Sequence, residues 1–401
     1  MNRSLLPRLA LALSLAAAAC YVPVRAADEA GVIHISDHAQ KTIPIALTGF
    51  SGEAAQVLRF DLEIAGFDIV PVTTAQYELK GAAGGNVQGT LSDTGNHHTL
   101  FARAYPGGTA RAQAHMLSDD VVKAVTGQPG IARTKIAFKI DSGRSKEIYV
   151  ADYDGGNPFR ATEDNSIAAT PAWVPGKLRL FYTSYRGGGP AVYSHDLQSG
   201  ARTRVFGFNG LNTSAAVSPD GTRVAVILSK SGSPDLWVAN IDGTGLQQLT
   251  KTREPESSPC WSPDGRTICF ASTRDGKAAL FTVPATGGEM HKLSTGGIIP
   301  ATEPDWSPDG KWIVFTRAGG SFDLYVVPAG GGTAEVLTSG EDPSWAPNSR
   351  TVIFTRGRDG ARRLSLLDVP TRRVKDVNRI SGSSSQPSWA RYPPSPNAHP
   401  I

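Results

Sequence analysis

The chain has 401 residues, of which 40% are hydrophobic and 19% charged, and its formal net charge is +4. This length favours two folded units, and the composition excludes a chain that is disordered throughout. The 43 glycines and 28 prolines are typical of many short strands joined by tight turns. Lysine and arginine do not form runs with interleaved aromatic residues, so the sequence does not predict a nucleic-acid-binding surface.

The first 26 residues have the pattern of a secretory signal peptide. Arg3 and Arg8 precede an apolar run of about 11 residues, and a polar stretch then ends at Ala26. We therefore expect residues 1–26 to be cleaved after Ala26 and the mature protein to reach the periplasm. Two alternatives stay open. An uncleaved anchor would need an apolar run of about 20 residues, and lipidation at Cys20 would normally need a leucine three residues before that cysteine.

Residues 27–130 show no repeat and are predicted to form a small α/β domain. The alternation and spacing of apolar residues predict strands at 42–47 and 67–70, a hairpin of 87–91 with 99–104, and helices at 53–65 and 118–125. Gly66 is expected to end the first helix. Ser118, followed by two aspartates, is expected to cap the second.

From residue 131 to residue 401 the sequence repeats, which predicts a propeller. The repeated unit contains an anchor position, usually Trp, in a context such as Ser-Pro-Asp-Gly, and two β-rich runs follow it. Successive anchors are 44, 44, 45, 39 and 44 residues apart. The six anchors are Trp173, Val217, Trp261, Trp306, Trp345 and Trp389. The Pro-Asp-Gly turn closes a hairpin, and the Trp is expected to wedge between neighbouring units.

The first and last units are incomplete, which predicts how the ring closes. Residues 135–162 contain strands without an anchor, whereas Trp389 is an anchor without following strands. Joining the two makes five whole units and one split unit. The predicted fold is therefore a small N-terminal α/β domain followed by a six-bladed all-β propeller, whose closure removes exposed sheet edges.

Motifs for catalysis or metal binding are missing from the sequence. No Gly-x-Ser-x-Gly nucleophile elbow occurs, so a propeller-linked hydrolase is not predicted. His34 and His38 have the spacing of a helical ligand pair, but the residues around them alternate like a strand and no glutamate lies between the two. We predict neither a metal site nor a cofactor.

Acidic residues gather just before several inner strands, and these connections should surround one mouth of the channel. They are Glu254, Glu256, Glu303, Glu341 and Asp342. Loops held by rigid strands often bind ligands, although a merely solvated rim would also be acidic.

Two cysteines remain after leader removal, Cys260 and Cys269, on either side of a Ser-Pro-Asp-Gly turn. The turn register places them opposite each other, within disulfide range. We predict a disulfide bond between them in the oxidising periplasm.

The repeats, the leader and the domain order together resemble the TolB family, the periplasmic component of the Tol-Pal envelope system. The resemblance covers about residues 40 to 391. Its most specific parts are the Ser-Pro-Asp-Gly repeats, the stretches 135–138 and 147–155, and the closing Pro387–Trp389.

The resemblance implies a monomeric, non-enzymatic adaptor that supports outer-membrane integrity and cell division. Its propeller mouth would bind the peptidoglycan-associated lipoprotein Pal, and its N-terminal segment, Ala27 to Gln40, would contact the inner-membrane protein TolA. The Pal-contacting surface corresponds to the loops before the second, third and fourth whole inner strands. These residues are Leu211, Asn212, Thr213, Ser214, Glu256, Ser257, Ser258, Thr302 and Glu303. The open alternative is a TolB-like propeller with another ligand, such as a carbohydrate or a peptide.

Overall fold

A computed structural model describes residues 39–357 and 361–391. The predicted signal peptide, its cleavage site, Cys20 and the pair His34 and His38 lie outside the described residues. Within them, neither of the two α-helices is long and apolar enough to cross a membrane.

The N-terminal unit is a five-stranded sheet covered by two helices. The strand order is β2-β1-β3-β4-β5, with β1 parallel to both of its neighbours. The elements are β1 (Ile43–Thr48), α1 (Gly52–Ile64), β2 (Phe67–Ile69), a short 3-10 helix (Val72–Thr74), β3 (Tyr77–Ala82), β4 (Val87–Asp93), β5 (Thr99–Tyr105) and α2 (Ala110–Thr126). The apolar faces of α1 and α2 meet the sheet in one core that includes Leu58, Leu79 and Leu117.

The second helix begins eight residues earlier than the sequence predicts. Its N-cap is Thr109, whose Oγ1 accepts a hydrogen bond from the Ala112 N–H at 3.1 Å. Ser118 is therefore a buried mid-helix residue, and the prediction that it caps the helix is wrong. Gly66, at φ +93°, follows α1 as predicted, because this left-handed conformation favours glycine.

Six four-stranded antiparallel sheets follow and form the propeller. We number the split blade first. Blade 1 contains β29 (Ser383–Trp389), β6 (Lys135–Asp141), β7 (Lys146–Asp152) and β8 (Phe159–Arg160). Blade 2 contains β9 (Ala168–Trp173), β10 (Arg179–Ser184), β11 (Ala191–Asp196) and β12 (Arg202–Phe206). Blade 3 contains β13 (Asn212–Val217), β14 (Arg223–Leu228), β15 (Asp235–Asn240) and β16 (Gln247–Gln248).

The remaining blades repeat this order from the channel outwards. Blade 4 contains β17 (Glu256–Trp261), β18 (Thr267–Ser272), β19 (Ala279–Pro284) and β20 (His291–Lys292). Blade 5 contains β21 (Ala301–Trp306), β22 (Trp312–Gly319), β23 (Ser321–Pro328) and β24 (Glu335–Ser339). Blade 6 contains β25 (Glu341–Trp345), β26 (Thr351–Arg356), β27 (Arg363–Asp368) and β28 (Arg373–Asp376).

The ring closes as the split repeat predicts. The C-terminal strand β29 pairs with β6, and Trp389 lies opposite Ile136. The predicted fold class, a small α/β unit followed by a six-bladed propeller, is confirmed.

The two faces of the ring differ in what they carry. Because strands alternate in direction, the turns between first and second strands lie on one face, which we call the inner-turn face. The turns between second and third strands, and the connections from each fourth strand to the next blade, lie on the other, which we call the mouth face.

The N-terminal unit packs on blades 1 and 6, at the ends of strands nearest the inner-turn face. Ile64 from α1 joins one apolar cluster with Tyr153 and Trp389, and the Tyr153 hydroxyl donates to Asp61 Oδ1 at 2.6 Å. Among the described residues, the unit reaches the mouth face at the connection between blades 6 and 1, where Glu53 lies 3.9 Å from Arg379.

Candidate functional site: a polar ring in the channel

Every first strand carries a β-bulge at the same position. In each blade two residues of the first strand face one residue of the second strand, as at Thr170 and Pro171 opposite Tyr182. A bulge bends its strand and redirects a side chain. Six equivalent bulges therefore present six equivalent side chains around one axis.

The first residue of each bulge has a left-handed backbone, with φ between +49° and +54°. None of the six is glycine, and a positive φ is uncommon for other residues. We call these residues the polar ring: Thr170, Ser214, Ser258, Glu303, Asp342 and Gln386. They line a channel cavity of about 460 Å³ that reaches the prolines of the inner turns. Strained backbone of this kind concentrates at functional sites.

Three members of the ring connect consecutive blades by hydrogen bonds. The Asp342 N–H donates to Glu303 Oε2 at 2.9 Å, and the Gln386 N–H donates to Asp342 Oδ2 at 3.1 Å. The Thr170 N–H then donates to Gln386 Oε1 at 3.1 Å. Blades 5, 6, 1 and 2 are thus joined, each by a side chain of one blade and the backbone of the next.

The opposite half of the ring carries only hydroxyl groups. Thr170 Oγ1 lies 3.0 Å from Thr183 Oγ1, which lies 3.1 Å from Thr213 Oγ1. The channel therefore has an acidic wall on blades 5 and 6 and a neutral hydroxyl wall on blades 2 to 4.

A second tier of contacts lies closer to the inner-turn face. Asp305 Oδ2 accepts the Trp345 N–H at 2.7 Å, and Ser344 Oγ accepts the Trp389 N–H at 3.1 Å. Arg391 donates to Asp305 Oδ1 at 2.6 Å. The anchor tryptophans are buried between blades, as predicted, so this end of the channel is fixed by packing as well as by hydrogen bonds.

Burial and charge change the acidity of the ring. Burial, together with the nearby charge of Asp342, raises the pKa of Glu303 to about 7. The Thr316 hydroxyl and the Asp342 N–H donate to its carboxylate and oppose this change. The acidic wall can therefore gain or lose a proton near neutral pH.

The structure brings together three of the residues that the resemblance implies for partner binding. Ser214, Ser258 and Glu303 are members of the polar ring. Thr170 and Gln386 are not among the predicted site residues, and Asp342 is predicted only as one of the acidic residues before inner strands. A signal was present, because each ring residue stands three positions before an anchor, and five of the six are followed by proline.

The other implied residues have different positions. Leu211 and Thr213 are half-buried, Ser257 is exposed, and Thr302 is half-buried beside Thr316. Asn212 is buried and folds the connection before it, since its side chain contacts Phe208 through both of its polar atoms.

Glu256 is the residue whose environment differs most from expectation. It is 2% exposed, accepts hydrogen bonds from the Leu236 N–H at 2.9 Å and from the Thr250 hydroxyl, and is the first residue of β17. The expectation that it lies in an exposed loop is wrong, because β17 begins at Glu256 itself and the side chain points into the blade. Glu303 and the pair Glu341 and Asp342 were likewise expected in loops before inner strands, but they lie within β21 and β25. Burial raises its pKa to about 7.

One cluster among the described residues has the composition of a metal site: His115, Asp152 and Asp154, between α2 and blade 1. Arg111 already fills it, however. Its guanidinium pairs with Asp154 and lies 3.5 Å from Asp152 Oδ2, while the His115 Nδ1 is 2.8 Å from Asp61 Oδ2. A metal cation would meet a fixed positive charge, so this cluster joins the two units electrostatically.

The two cysteines have the predicted register but form no disulfide. Cys260 lies opposite Cys269, and both are free and buried. Burial, and then the neighbouring Cys269, raises the pKa of the Cys260 thiol well above its usual range. The thiolate that disulfide chemistry needs is therefore disfavoured, and the predicted bond is corrected to a buried thiol pair.

Comparison with known proteins agrees with this geometry. Residues 122–393 match the profile of the TolB beta propeller domain. The chain belongs to this family. The resemblance seen in the sequence is confirmed.

Relatives of known assignment support the same family. The chain is 33% identical over 292 residues to the Tol-Pal system protein TolB of Anaeromyxobacter dehalogenans strain 2CP-1, which covers 62% of this chain and 67% of the relative. It is 32% identical over 295 residues to the protein of the same description from Anaeromyxobacter sp. strain K, covering 63% of this chain and 67% of the relative.

Solved structures show the same fold. The crystal structure of TolB from Acinetobacter baumannii superposes with a TM-score of 0.79 at 23% identity, over 89% of this chain and 98% of that one. A putative TolB from Agrobacterium tumefaciens matches with a TM-score of 0.50 at 21% identity, over 65% of this chain and 93% of that one.

Proposed function

We propose that this protein is a non-enzymatic periplasmic adaptor of the Tol-Pal cell-envelope system. Its propeller would bind a Pal-type peptidoglycan-associated lipoprotein at the channel mouth, and its N-terminal segment would contact a TolA-type inner-membrane protein. In this role it would support outer-membrane integrity and cell division. The proposed division is a signal peptide at 1–26, an α/β domain at 27–130 and the propeller at 131–401.

The observation that carries the proposal is the polar ring. Six bulged positions hold strained, polar side chains around one channel in a protein of the TolB family. Packing alone does not require polar groups there, and fixed side chains on a rigid scaffold are a common arrangement for binding. The ring includes three of the residues implied for the Pal contact: Ser214, Ser258 and Glu303.

The proposed TolA contact has a structural basis where the described chain begins. The Gln40 N–H donates to the Pro370 carbonyl at 2.8 Å, so the described chain begins beside blade 6. Pro370 lies in the turn between β27 and β28, on the face of the propeller opposite the mouth face. Two partners could therefore bind the same molecule together.

The test is titration calorimetry with the mature protein and two soluble domains from the same organism, one from the Pal-type lipoprotein and one from the TolA-type protein. We expect both to bind, and a variant lacking residues 27–38 to lose only the TolA-type domain. Absence of binding to the lipoprotein domain by a folded wild-type protein would contradict the proposal.

A second function is favoured by the size of the cavity. About 460 Å³ lies within the range of small-molecule sites, roughly 300 to 1,000 Å³. A TolB-like propeller that binds a carbohydrate or a peptide would use the hydroxyl wall for hydrogen bonds. Binding of such a ligand, with none to the lipoprotein domain, would favour this second function.

A further inference from the structure

Exposed charges are distributed unequally between the two faces. Arg379 lies 3.9 Å from Glu53 and 4.0 Å from Asp154, so it faces the N-terminal unit. Among the other described residues in the turns and connections of the mouth face, exposed cations outnumber exposed anions by seven to two. The cations are Arg144, Arg186, Lys230, Lys251, Arg253, Arg274 and Lys277, and the anions are Glu163 and Asp275. The five inner turns of blades 2 to 6 carry three of each: Lys177, Arg266, Lys311, Asp220, Asp264 and Asp309.

Exposed apolar side chains show the same preference. In the described part of the chain eight large apolar residues are exposed, and five of them lie on or beside the turns and connections of the mouth face. They are Ile167, Tyr185, Phe208, Ile299 and Phe322. None lies in the inner turns. Exposed aromatic residues next to arginines are typical of protein interfaces.

The apolar and basic residues form two groups over blades 2 and 3. The Tyr185 N–H donates to the Ile167 carbonyl at 2.9 Å, which places these two residues side by side. Arg186 follows in the same turn. Lys230 Nζ lies 4.1 Å from the centre of the Phe208 ring, so this cation and this aromatic ring are presented together.

We infer that the mouth face docks an acidic protein surface, with aromatic contacts on blades 2 and 3 and an arc of cations over blades 1 to 4. We call the seven cations the basic crown. The inference deepens the proposed function, on which it rests, because it describes the chemistry that a Pal-type partner must present. It also moves charge recognition from the acidic residues to the crown, since Glu256 is buried and Glu303 lies inside the channel.

The channel itself narrows the description of the partner. Inside the crown, Glu303 and Asp342 form the acidic wall, which repels a uniformly anionic ligand. A partner that complements both the basic crown and the acidic wall has acidic residues at its periphery and a hydrogen-bond donor or a cation at its centre. A protein surface can combine these features, whereas a layer of anionic lipid headgroups cannot. We therefore argue for a protein partner.

The experiment compares two triple variants that reverse the same number of charges. The crown variant combines Arg186→Glu, Lys230→Glu and Arg253→Glu. The control variant combines Lys177→Glu, Arg266→Glu and Lys311→Glu, at residues of the inner-turn face that are also exposed. Circular dichroism and the melting temperature check that both variants fold.

Affinity for the Pal-type lipoprotein domain is measured by titration calorimetry at about 50 mM and about 300 mM NaCl. At low salt we expect the crown variant to lose about tenfold or more in affinity, because its three glutamates would face an acidic partner. At high salt the loss should be smaller, because salt screens this repulsion. The control variant should stay within about twofold of the wild type. Equal losses in both variants, or no loss in either, would overturn the inference.

A different outcome separates the inference from the proposed function. If the wild type does not bind the lipoprotein domain, the proposed function fails, and the crown is then tested by fluorescence anisotropy with a fluorescein-labelled copolymer that is rich in glutamate and contains a minority of lysine. Binding that the crown variant alone loses supports an acidic protein ligand. Equal binding by both variants, or none by the wild type, overturns the inference. Binding only to phosphatidylglycerol vesicles overturns it in favour of a lipid surface.

Discussion

Replacing Trp389 by alanine should test how the ring closes and how the N-terminal unit is held. The indole is 2% exposed and stacks on Tyr153, with ring centres 6.0 Å apart. Its Nε1–H donates to Thr134 Oγ1 at 2.8 Å. Truncating a buried Trp to Ala costs about 3 to 5 kcal/mol, and the loss of a hydrogen bond of about 1 kcal/mol is part of this sum. We therefore expect a loss of about 4 kcal/mol in the free energy of unfolding.

The control is Trp261→Ala, in blade 4. Trp261 is 3% exposed, and its Nε1–H donates to the Ala216 carbonyl at 2.9 Å, so the loss of stability should be similar. Only Trp389, however, shares a cluster with Ile64 of helix α1. We therefore expect faster amide hydrogen exchange in α1 for Trp389→Ala and not for Trp261→Ala.

Urea unfolding gives the free energies, and hydrogen-exchange mass spectrometry gives the local effect. A loss below about 1 kcal/mol for Trp389→Ala would refute the buried-anchor argument. Unchanged exchange in α1 would refute the proposed coupling between ring closure and the N-terminal unit.

Three further predictions concern Glu256, Arg111 and the two cysteines. Burial raises the pKa of Glu256 to about 7, against 4.5 for the free side chain. Between these two pH values the folded state therefore binds more protons than the unfolded state. Stability should fall as pH rises through this window, by up to about 3 kcal/mol for this group, and Glu256→Gln should reduce the fall between pH 5 and 8; an identical pH profile would count against it. Arg111→Ala removes the close cation of the buried Asp154, whereas Asp152 keeps Lys135 at 3.2 Å, and it should cost about 3 to 5 kcal/mol; a urea midpoint equal to that of the wild type would show that the interface is not held by the pair of Arg111 and Asp154. Mass spectrometry after denaturing alkylation without reductant should find Cys260 and Cys269 both modified, whereas two unmodified cysteines would restore the disulfide.

The periodic parts of the fold could be predicted from the sequence. The anchor spacing and the unpaired Trp389 required a split blade, and the structure pairs β29 with β6 accordingly. The register across the Ser-Pro-Asp-Gly turn also placed Cys260 opposite Cys269 correctly. Both inferences depend on local turn geometry and repetition, which a sequence records directly.

Features that depend on tertiary partners could not be predicted. Ser118 with two aspartates resembles an N-cap, but the helix extends back to Thr109 because residues 110–117 pack against β4 and β5. Strand β3 (Tyr77–Ala82) was missed altogether. Glu256 is buried only because Thr250 and the Leu236 N–H meet its carboxylate across the blade.

The candidate site also combines features that the repeat predicts with features that depend on tertiary structure. The positions of Ser214, Ser258 and Glu303 follow from the repeat, yet their common role follows from the six bulges, which shift the register and break the simple alternation of a strand. A pattern of period two contains no information about such a shift.

Hydrogen-exchange mass spectrometry of the mature protein, with and without the Pal-type lipoprotein domain, tests the central claim most directly. We expect protection in Leu211–Ser214, in Thr302–Glu303 and in the mouth-face turns that contain Arg186 and Lys230, while the inner turns exchange as in the free protein. Protection confined to the inner-turn face, or none at saturating partner, would contradict the assignment of the channel mouth as the functional site.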